Sequence, residues 1–359
     1  MNPIYFGHNL LEGENFLRTL QKHSGSFVLL TDEKVAALYA EPFLSFMNEN
    51  ELSCECITFS GGEKNKTRKT KEEIEDKLLA QQAGKDTFLI VMGGGVVTDI
   101  GGFVAATYCR GIPYLSVPTT LLGMVDASIG GKTGVNVKEG KNLIGTFYPP
   151  EAIFIDFSML STLSDQEMLN GSAEVIKHCL IADRSSFYLL FENLDKWKQR
   201  DLEFLKKFII KSCRIKKKIV KADLKESGAR RILNFGHTIG HAIEVIEEYS
   251  LSHGEAIAVG MIVESFISLK MNHIEEKDFD EIYELLKVIG FPLKLSEKVT
   301  ISGMKEAMVR DKKSKGKIPR FIILNKVGKV FPFKGEYCAH IDESLLEESL
   351  GWMIAEFVR

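Results

Sequence analysis

Residues 87–99 read TFLIVMGGGVVTD. After Thr87 the next five are apolar, the pattern of a parallel strand covered on both faces. Gly93-Gly94-Gly95 then separates this strand from a helical stretch carrying Asp99, Gly101 and Gly102. Glycines between strand and helix let backbone amides approach a diphosphate at the positive end of the helix. The pattern is not GxGxxG, and a tight turn with close helix packing is the competing explanation. Asp99, on the first helical turn, also suits the helix dipole.

Working outward, Ser26–Thr31 and Cys54–Phe59 read as earlier strands. Asp32-Glu33-Lys34 ends the first, and Gly61-Gly62-Glu63 plus a charged helix over 67–83 follow the second. Ile112–Val117 and Glu151–Asp156 complete the set. Strands alternating with helices predict a doubly wound α/β domain. Between the last two strands, Pro118-Thr119-Thr120 leads into LLGMVDASIGGKTGVNVKEGKNLIGTFYPP, residues 121–150. Rich in glycine and carrying Asp126, Lys132, Lys141 and Asn142, it reads as a ligand-binding loop at strand ends. The strand pattern runs out near Ser164, which divides the chain into an α/β domain, 1–164, and a mostly helical domain, 165–359.

Composition sets the frame. The 359 residues suffice for about two domains of ~150 residues. A formal net charge of -3 argues against a dedicated nucleic-acid or membrane surface. No apolar run approaches the ~18 residues of a membrane span, and the first residues carry neither a basic leader nor an apolar core. Six scattered cysteines without a CxxC read as reduced thiols, which implies a cytoplasmic location.

In the second half, Ser164–Glu167 fits a capping box, and on the helix behind it Asn170, Glu174 and Lys177 share one face. Residues 204–221 hold eight lysines and arginines interleaved with Phe208, Ile209, Cys213, Ile215, Ile219 and Val220, an amphipathic helix with a basic face. Residues 321–330 read as a small hairpin. The chemistry concentrates in residues 228–255, GARRILNFGHTIGHAIEVIEEYSLSHGE. Ile239, Ala242, Ile243 and Ile246 recur at helical spacing, which puts His237 and His241 on one face. His253 follows across a break. Three histidines so placed are a candidate metal site, and core histidines satisfied by carbonyls are the plainer alternative.

Read together, these segments resemble the 3-dehydroquinate synthases of the sugar-phosphate cyclase group. The resemblance rests on GGGVVTDIGGF (93–103), RGIPYLSVPTTLLGMVDASIGGKTGVN (110–136), GKNLIGTFYPP (140–150), NGSAEVIKH (170–178), LNFGHTIGHAIE (233–244), HGEAIAVGM (253–261) and Arg310-Asp311-Lys312-Lys313. They run in collinear order over most of the chain. Two departures are a Glu63-Lys64-Asn65-Lys66 segment without the aromatic that often precedes its second lysine, and an atypical VKEG after Asn136. The resemblance implies an N-terminal NAD-binding sheet domain, a helical C-terminal domain and an active site in the cleft between them. It implies conversion of a seven-carbon heptulosonate phosphate to 3-dehydroquinate, the second step of the shikimate pathway. Oxidation of a ring hydroxyl by NAD acidifies the neighbouring proton, phosphate leaves, the ketone is reduced back, the ring opens, and an aldol closes the carbocycle.

By the same resemblance Glu174, His237 and His253 are ligands of one divalent metal, zinc or cobalt, and His241 turns to the substrate as a proton-transfer or phosphate-contacting group. Glu226 is the proton acceptor, and Asp126 bonds substrate hydroxyls. Lys216 and Arg230 are matched to the substrate carboxylate, with Asn234 beside them and Lys217 a competitor for Lys216. Lys132, Asn142 and one of Lys312 and Lys313 (Lys312 preferred) are matched to phosphate, and Lys177 adds charge. Arg110 reaches the neighbouring subunit's site, which implies a homodimer. For NAD the implied residues are Asp32, Glu63, Lys66, Gly94, Gly95, Val96, Asp99, Thr119, Thr120, Lys132, Lys141, Thr162 and Asn170. A 2-deoxy-scyllo-inosose synthase acts on glucose 6-phosphate, which lacks a carboxylate, so Arg230, Asn234 and Lys216 would be superfluous there. A polyol dehydrogenase of the glycerol dehydrogenase type would need fewer phosphate-binding lysines.

Overall fold

The computed structural model describes residues 2–138, 140–310 and 318–359, and the chain divides into two compact units, Met1–Met168 and Leu169–Arg359. In the first, β1 (Ile4–Gly7), α1 (Glu14–Leu20), β2 (Phe27–Asp32), α2 (Glu33–Glu49), β3 (Cys54–Phe59), α3 (Arg68–Ala80), β4 (Phe88–Gly93), α4 (Gly95–Thr107) and β5 (Tyr114–Pro118) follow one another. Then come β6 (Lys132–Val137), β7 (Gly140–Phe147) and β8 (Ile153–Asp156). Six strands form one parallel sheet in the order β1-β8-β5-β4-β2-β3. Every residue of β4 and β5 is buried, which is why the β4 run 88–92 reads as an unbroken apolar stretch. Val28, Leu30, Leu89 and Val91 pack against Val97, Ile100 and Val104 of α4.

After β2 the chain steps to β3 on one side and returns to β4 on the other. A sheet built this way opens a crevice at the carboxyl ends of the two strands flanking the reversal. Asp32 ends β2 and Gly93 ends β4, so the glycine run stands at that reversal.

The segment expected to be a loop contains the antiparallel β6–β7 pair. Its glycines mark close strand pairing rather than irregular chain. A Cβ on Gly145 would stand 2.0 Å from the Thr133 carbonyl oxygen.

Among the described residues, the strands of the second unit are a hairpin of β9 (Leu324–Lys326) and β10 (Lys329–Val330), and the rest of its regular structure is helical. Its helices are α5 (Asp165–Ala182, entered from the first unit), α6 (Arg184–Glu192), α7 (Leu194–Lys198), α8 (Leu202–Ala222), α9 (His237–Ile246), α10 (His253–Lys270), α11 (Glu276–Ile289), α12 (Ile301–Arg310) and α13 (Glu343–Phe357). At the head of α5, Glu167 N donates to Ser164 Oγ at 3.3 Å, one half of the expected capping box. Helix α10 is buried nearly all round and is the centre of this unit. Helix α9 lies against it so closely that a Cβ on Gly260 would stand 1.9 Å from the Gly236 carbonyl oxygen.

Candidate active site

The second unit brings Glu174, His237 and His253 together, with one donor atom of each lying within 4.8 Å of the others. Each comes from a different helix, and local sequence explains each placement. Gly236, at φ 78°, turns the chain left-handed just before α9, so His237 opens that helix. Ser252 caps α10 through a full capping box with Glu255, which sets His253 on its first turn. The Asn170 side chain accepts from Gly254 N at 2.7 Å and ties this turn to α5.

The ring nitrogens divide their work. His237 Nε2 and His253 Nε2 face Glu174 Oε1 at 3.5 and 3.3 Å. His237 Nδ1 meets the Phe235 carbonyl at 3.0 Å, and His253 Nδ1 meets Glu244 Oε1 at 3.3 Å. This is the support by which outer partners orient metal-binding imidazoles. A carboxylate and two imidazoles, each backed at its far nitrogen, fit a divalent metal with open positions. Glu174 is fully buried and pairs through Oε2 with the equally buried Lys177. Desolvation pushes its carboxyl up, but the Lys177 ammonium and hydrogen bonds from both histidines win and hold it well below the carboxylate range. For His253, desolvation pulls down while bonds to Glu174 and Glu244 push up, to about 9.

His241, one turn after His237, places its ring 5.2 Å from His237 and 6.3 Å from His253, centre to centre. With Glu244 and His253 it makes a second group of three donors within 4.8 Å. Spacing along α9 therefore does not by itself separate ligand from neighbour.

Further substrate-matched residues of this unit lie on α8 or in the segment after it. Glu226 Oε1 accepts from Asn234 Nδ2 at 2.7 Å, and buried Arg230 donates from Nη1 to the Leu224 carbonyl at 2.8 Å. Lys216 is buried where its neighbour Lys217 is half-buried and Lys218 exposed. It stands on the stripe Leu205, Ile209, Cys213, Lys216, Val220, a lysine where the helix period calls for an apolar side chain. Lys312 and Lys313 lie outside the described residues.

In the first unit, Asp32 caps α2, accepting from Lys34 N at 2.9 Å and Val35 N at 3.1 Å. Helix α4 begins at Gly94-Gly95 with no side chain among the described residues capping it, and Gly94, Gly95 and Val96 are partly exposed. That leaves the first-turn amides facing outward at the positive helix end, which fits a dinucleotide's diphosphate. Thr119 N donates to the Gly93 carbonyl at 3.0 Å, and Thr120 Oγ1 accepts from Gly123 N at 3.0 Å. Lys66 pairs with Asp99 at 2.5 Å, and Lys141 lies 3.9 Å from Glu63. Asn136, which the sequence did not mark, links these pieces. Its Nδ2 donates to Glu63 Oε1 at 2.8 Å, and its Oδ1 accepts from Asn142 N at 2.9 Å.

Elsewhere Thr162 Oγ1 meets the Tyr39 hydroxyl at 2.5 Å, and Asn170 belongs to the second unit. Asp126 lies in a wide π-helical turn, Gly123–Ala127, a form common at functional sites. Lys132 is exposed at the start of β6, and Arg110 is exposed at φ 66°.

Known proteins match this chain over most of its length. Residues 56–170 match the family model described as 3-dehydroquinate synthase N-terminal, and residues 171–314 match 3-dehydroquinate synthase C-terminal. The 3-dehydroquinate synthase of Thermoanaerobacter pseudethanolicus is 39% identical over 91% of this chain and 92% of its own length. A 2-deoxy-scyllo-inosose synthase solved with carbaglucose-6-phosphate, NAD+ and Co2+ superposes with a TM-score of 0.86. It is 28% identical over 97% of this chain and 95% of its own. The 2-epi-5-epi-valiolone synthase of Streptomyces hygroscopicus, with NAD+ and Zn2+ bound, gives a TM-score of 0.89 and 25% identity over 99% and 97%. Identity is thus markedly higher to the dehydroquinate synthase than to the cyclases of other substrates. The chain belongs to the 3-dehydroquinate synthase family and is an enzyme of that activity, rather than an inosose synthase or a polyol dehydrogenase.

Proposed function

We propose that Glu174, His237 and His253 hold one divalent metal, zinc or cobalt, and that the amides at the head of α4 with Asp32 hold NAD. The observation that carries this is the cluster itself. A fully buried carboxylate faces two imidazole nitrogens, and the far nitrogen of each imidazole is already engaged. The alternative group, with His241, would require the carboxylate that already backs His253 Nδ1.

When bound, the metal supplies Lewis acidity toward a substrate hydroxyl, and NAD supplies a reversible hydride acceptor. The chain does the rest. Arg230, Lys216 and Asn234 hold the substrate carboxylate, the guanidinium fork matching its two oxygens. Lys132, Asn142 and Lys312 hold the phosphate, and Asp126 accepts from ring hydroxyls. Glu226 accepts the proton released beside the new ketone, and His241 moves a proton at the departing phosphate. Lys177 balances Glu174. For the dinucleotide, Glu63, Lys66, Gly94, Gly95, Val96, Asp99, Thr119, Thr120, Lys141, Thr162 and Asn170 complete the set. The product enters the shikimate pathway toward aromatic amino acids.

The same proposal makes the enzyme a homodimer and cytoplasmic. On β7, Leu143, Ile144 and Phe147 are exposed, apolar side chains suited to contact with a second copy, and Arg110 is exposed as well. All six cysteines are free thiols, which suits a reducing compartment. No helix among the described residues is long and apolar enough to cross a membrane.

The test incubates purified protein with the heptulosonate phosphate, trace NAD and metal, and follows phosphate and dehydroquinate by mass spectrometry. Stoichiometric NADH, or activity only on glucose 6-phosphate, would overturn the proposal. His237→Ala should lose both metal and turnover. His241→Ala should keep the metal and lose rate, and metal loss there would show the ligand assignment wrong.

A further inference from the structure

Asp223, the residue after α8, gathers four donors on one carboxylate. Oδ1 accepts from Ser227 N at 3.0 Å and Ser227 Oγ at 3.2 Å. Oδ2 accepts from Gly228 N at 2.6 Å and Arg230 N at 3.1 Å. Residues 223–230 are thereby closed into a ring about the aspartate. Inside that ring Glu226 stands at φ 58°, left-handed backbone that a non-glycine residue keeps only where neighbouring contacts enforce it. The ring also carries Arg230, whose guanidinium donates back to Leu224 within it, and Glu226 reaches out to Asn234. Three residues matched to substrate are therefore held, directly or through one hydrogen bond, by a side chain that the reaction itself does not use.

We propose that Asp223 is a positioning residue, whose carboxylate holds the 223–230 ring so that Glu226, Arg230 and Asn234 stand in one arrangement before substrate arrives. This rests on the assignment of Arg230 and Asn234 to the substrate carboxylate. Desolvation pushes the Asp223 carboxyl up, but the N–H groups of Gly228, Ser227 and Arg230 outweigh it and hold it down, to about 2. It is thus an acceptor on both oxygens at neutral pH. Asparagine cannot take its place, because its amide end would point N–H groups at N–H groups.

The experiment compares wild type, Asp223→Asn, Asp223→Ala and Ser227→Ala as full chains with NAD and metal. The measurements are KM, kcat, bound metal, melting temperature, and inhibition by a non-reacting heptulosonate phosphate analogue with and without its carboxylate. Asp223→Asn keeps the volume of the side chain and remains informative if Asp223→Ala does not fold. Both Asp223 variants should raise KM by at least ~10-fold, approaching ~100-fold for an ångström of misplacement. They should also reduce the preference for the carboxylate-bearing analogue by a similar factor, with metal content unchanged. Ser227→Ala loses one long hydrogen bond and should change KM by about threefold at most. An Asp223→Asn enzyme that keeps the wild-type preference, whatever its kcat, overturns the positioning role. Arg230→Ala separates the two levels. If it too keeps the preference, the carboxylate assignment is what fails. If it abolishes the preference while Asp223→Asn does not, only the role of Asp223 falls.

Discussion

Glu244 offers a sharp test of the metal centre, because it backs His253 at Nδ1 and so sets that ring's orientation. The carboxylate is 1% exposed and meets His253 Nδ1 at 3.3 Å, on the side opposite Glu174. Outer partners of this kind are worth about 10- to 100-fold in metal affinity, or roughly 1.4 to 2.7 kcal/mol. The 3.3 Å separation is long for a charge-assisted bond, which places Glu244→Ala toward the lower end, near ~10-fold. Glu244→Gln keeps an acceptor oxygen and loses only the charge, so its effect should be smaller, about threefold. Competition with a chromophoric chelator reads the affinity directly, without turnover, and circular dichroism confirms that each variant is folded. His253→Ala, measured alongside, should lose far more. Equal affinities for wild type and folded Glu244→Ala would refute the division of nitrogens described above, since His253 would then need no support at Nδ1.

Other expectations follow from the same geometry. Gly260→Ala would push a Cβ to 1.9 Å from the Gly236 carbonyl, a backbone atom that cannot swing aside, so stability should drop by about 3 kcal/mol or more. A melting temperature near wild type would show that α9 and α10 are not so closely apposed. Lys216→Met should lower kcat/KM at least ~10-fold, from one charge-assisted hydrogen bond, and Lys217→Met should be nearly silent. The reverse order would exchange the two lysines. Asp183 caps α6 through Ser186 N at 3.1 Å, and Asp183→Ala should cost about 1 kcal/mol at pH 7. Desolvation pushes its carboxyl up, but the Ser185 and Ser186 hydroxyls, the Ser186 N–H and Lys211 hold it down, to about 2. Its ordinary value is about 3.9. A depressed carboxyl contributes stability that is complete above ~3.9 and lost as pH falls through ~2. The gap in stability between wild type and Asp183→Ala should therefore close between about pH 4 and pH 2. A gap unchanged at pH 2 would remove the aspartate's charge from the account.

What the sequence disclosed depended on how far each interaction reaches along the chain. The parallel strands were legible because burial on both faces writes itself locally, as the unbroken run 88–92 shows. The β6–β7 pair was not, because its glycines serve a cross-strand approach between Thr133 and Gly145 that resembles loop composition when read residue by residue. His237 and His241 declared themselves by helical spacing, but His253 and Glu174 are 79 positions apart, and only the resemblance joined them. Glu244 left no signal as an acid on an amphipathic helix, since its partner lies across the α9–α10 turn. Lys216 left a clearer one. Its place on the stripe of Leu205, Ile209 and Val220 marks a cation the helix buries, which separates it from Lys217 without any structure. Asp223 is the most instructive case, because all four of its donors lie within seven residues. An aspartate at a helix end, with Ser-Gly four and five positions on and an arginine at seven, is a local pattern of acceptor and donors. It can be read by asking where the amides of a functional loop find their acceptors. The residues that act at such a site are conspicuous by type, and those that hold them in place become visible once that question is asked of the backbone.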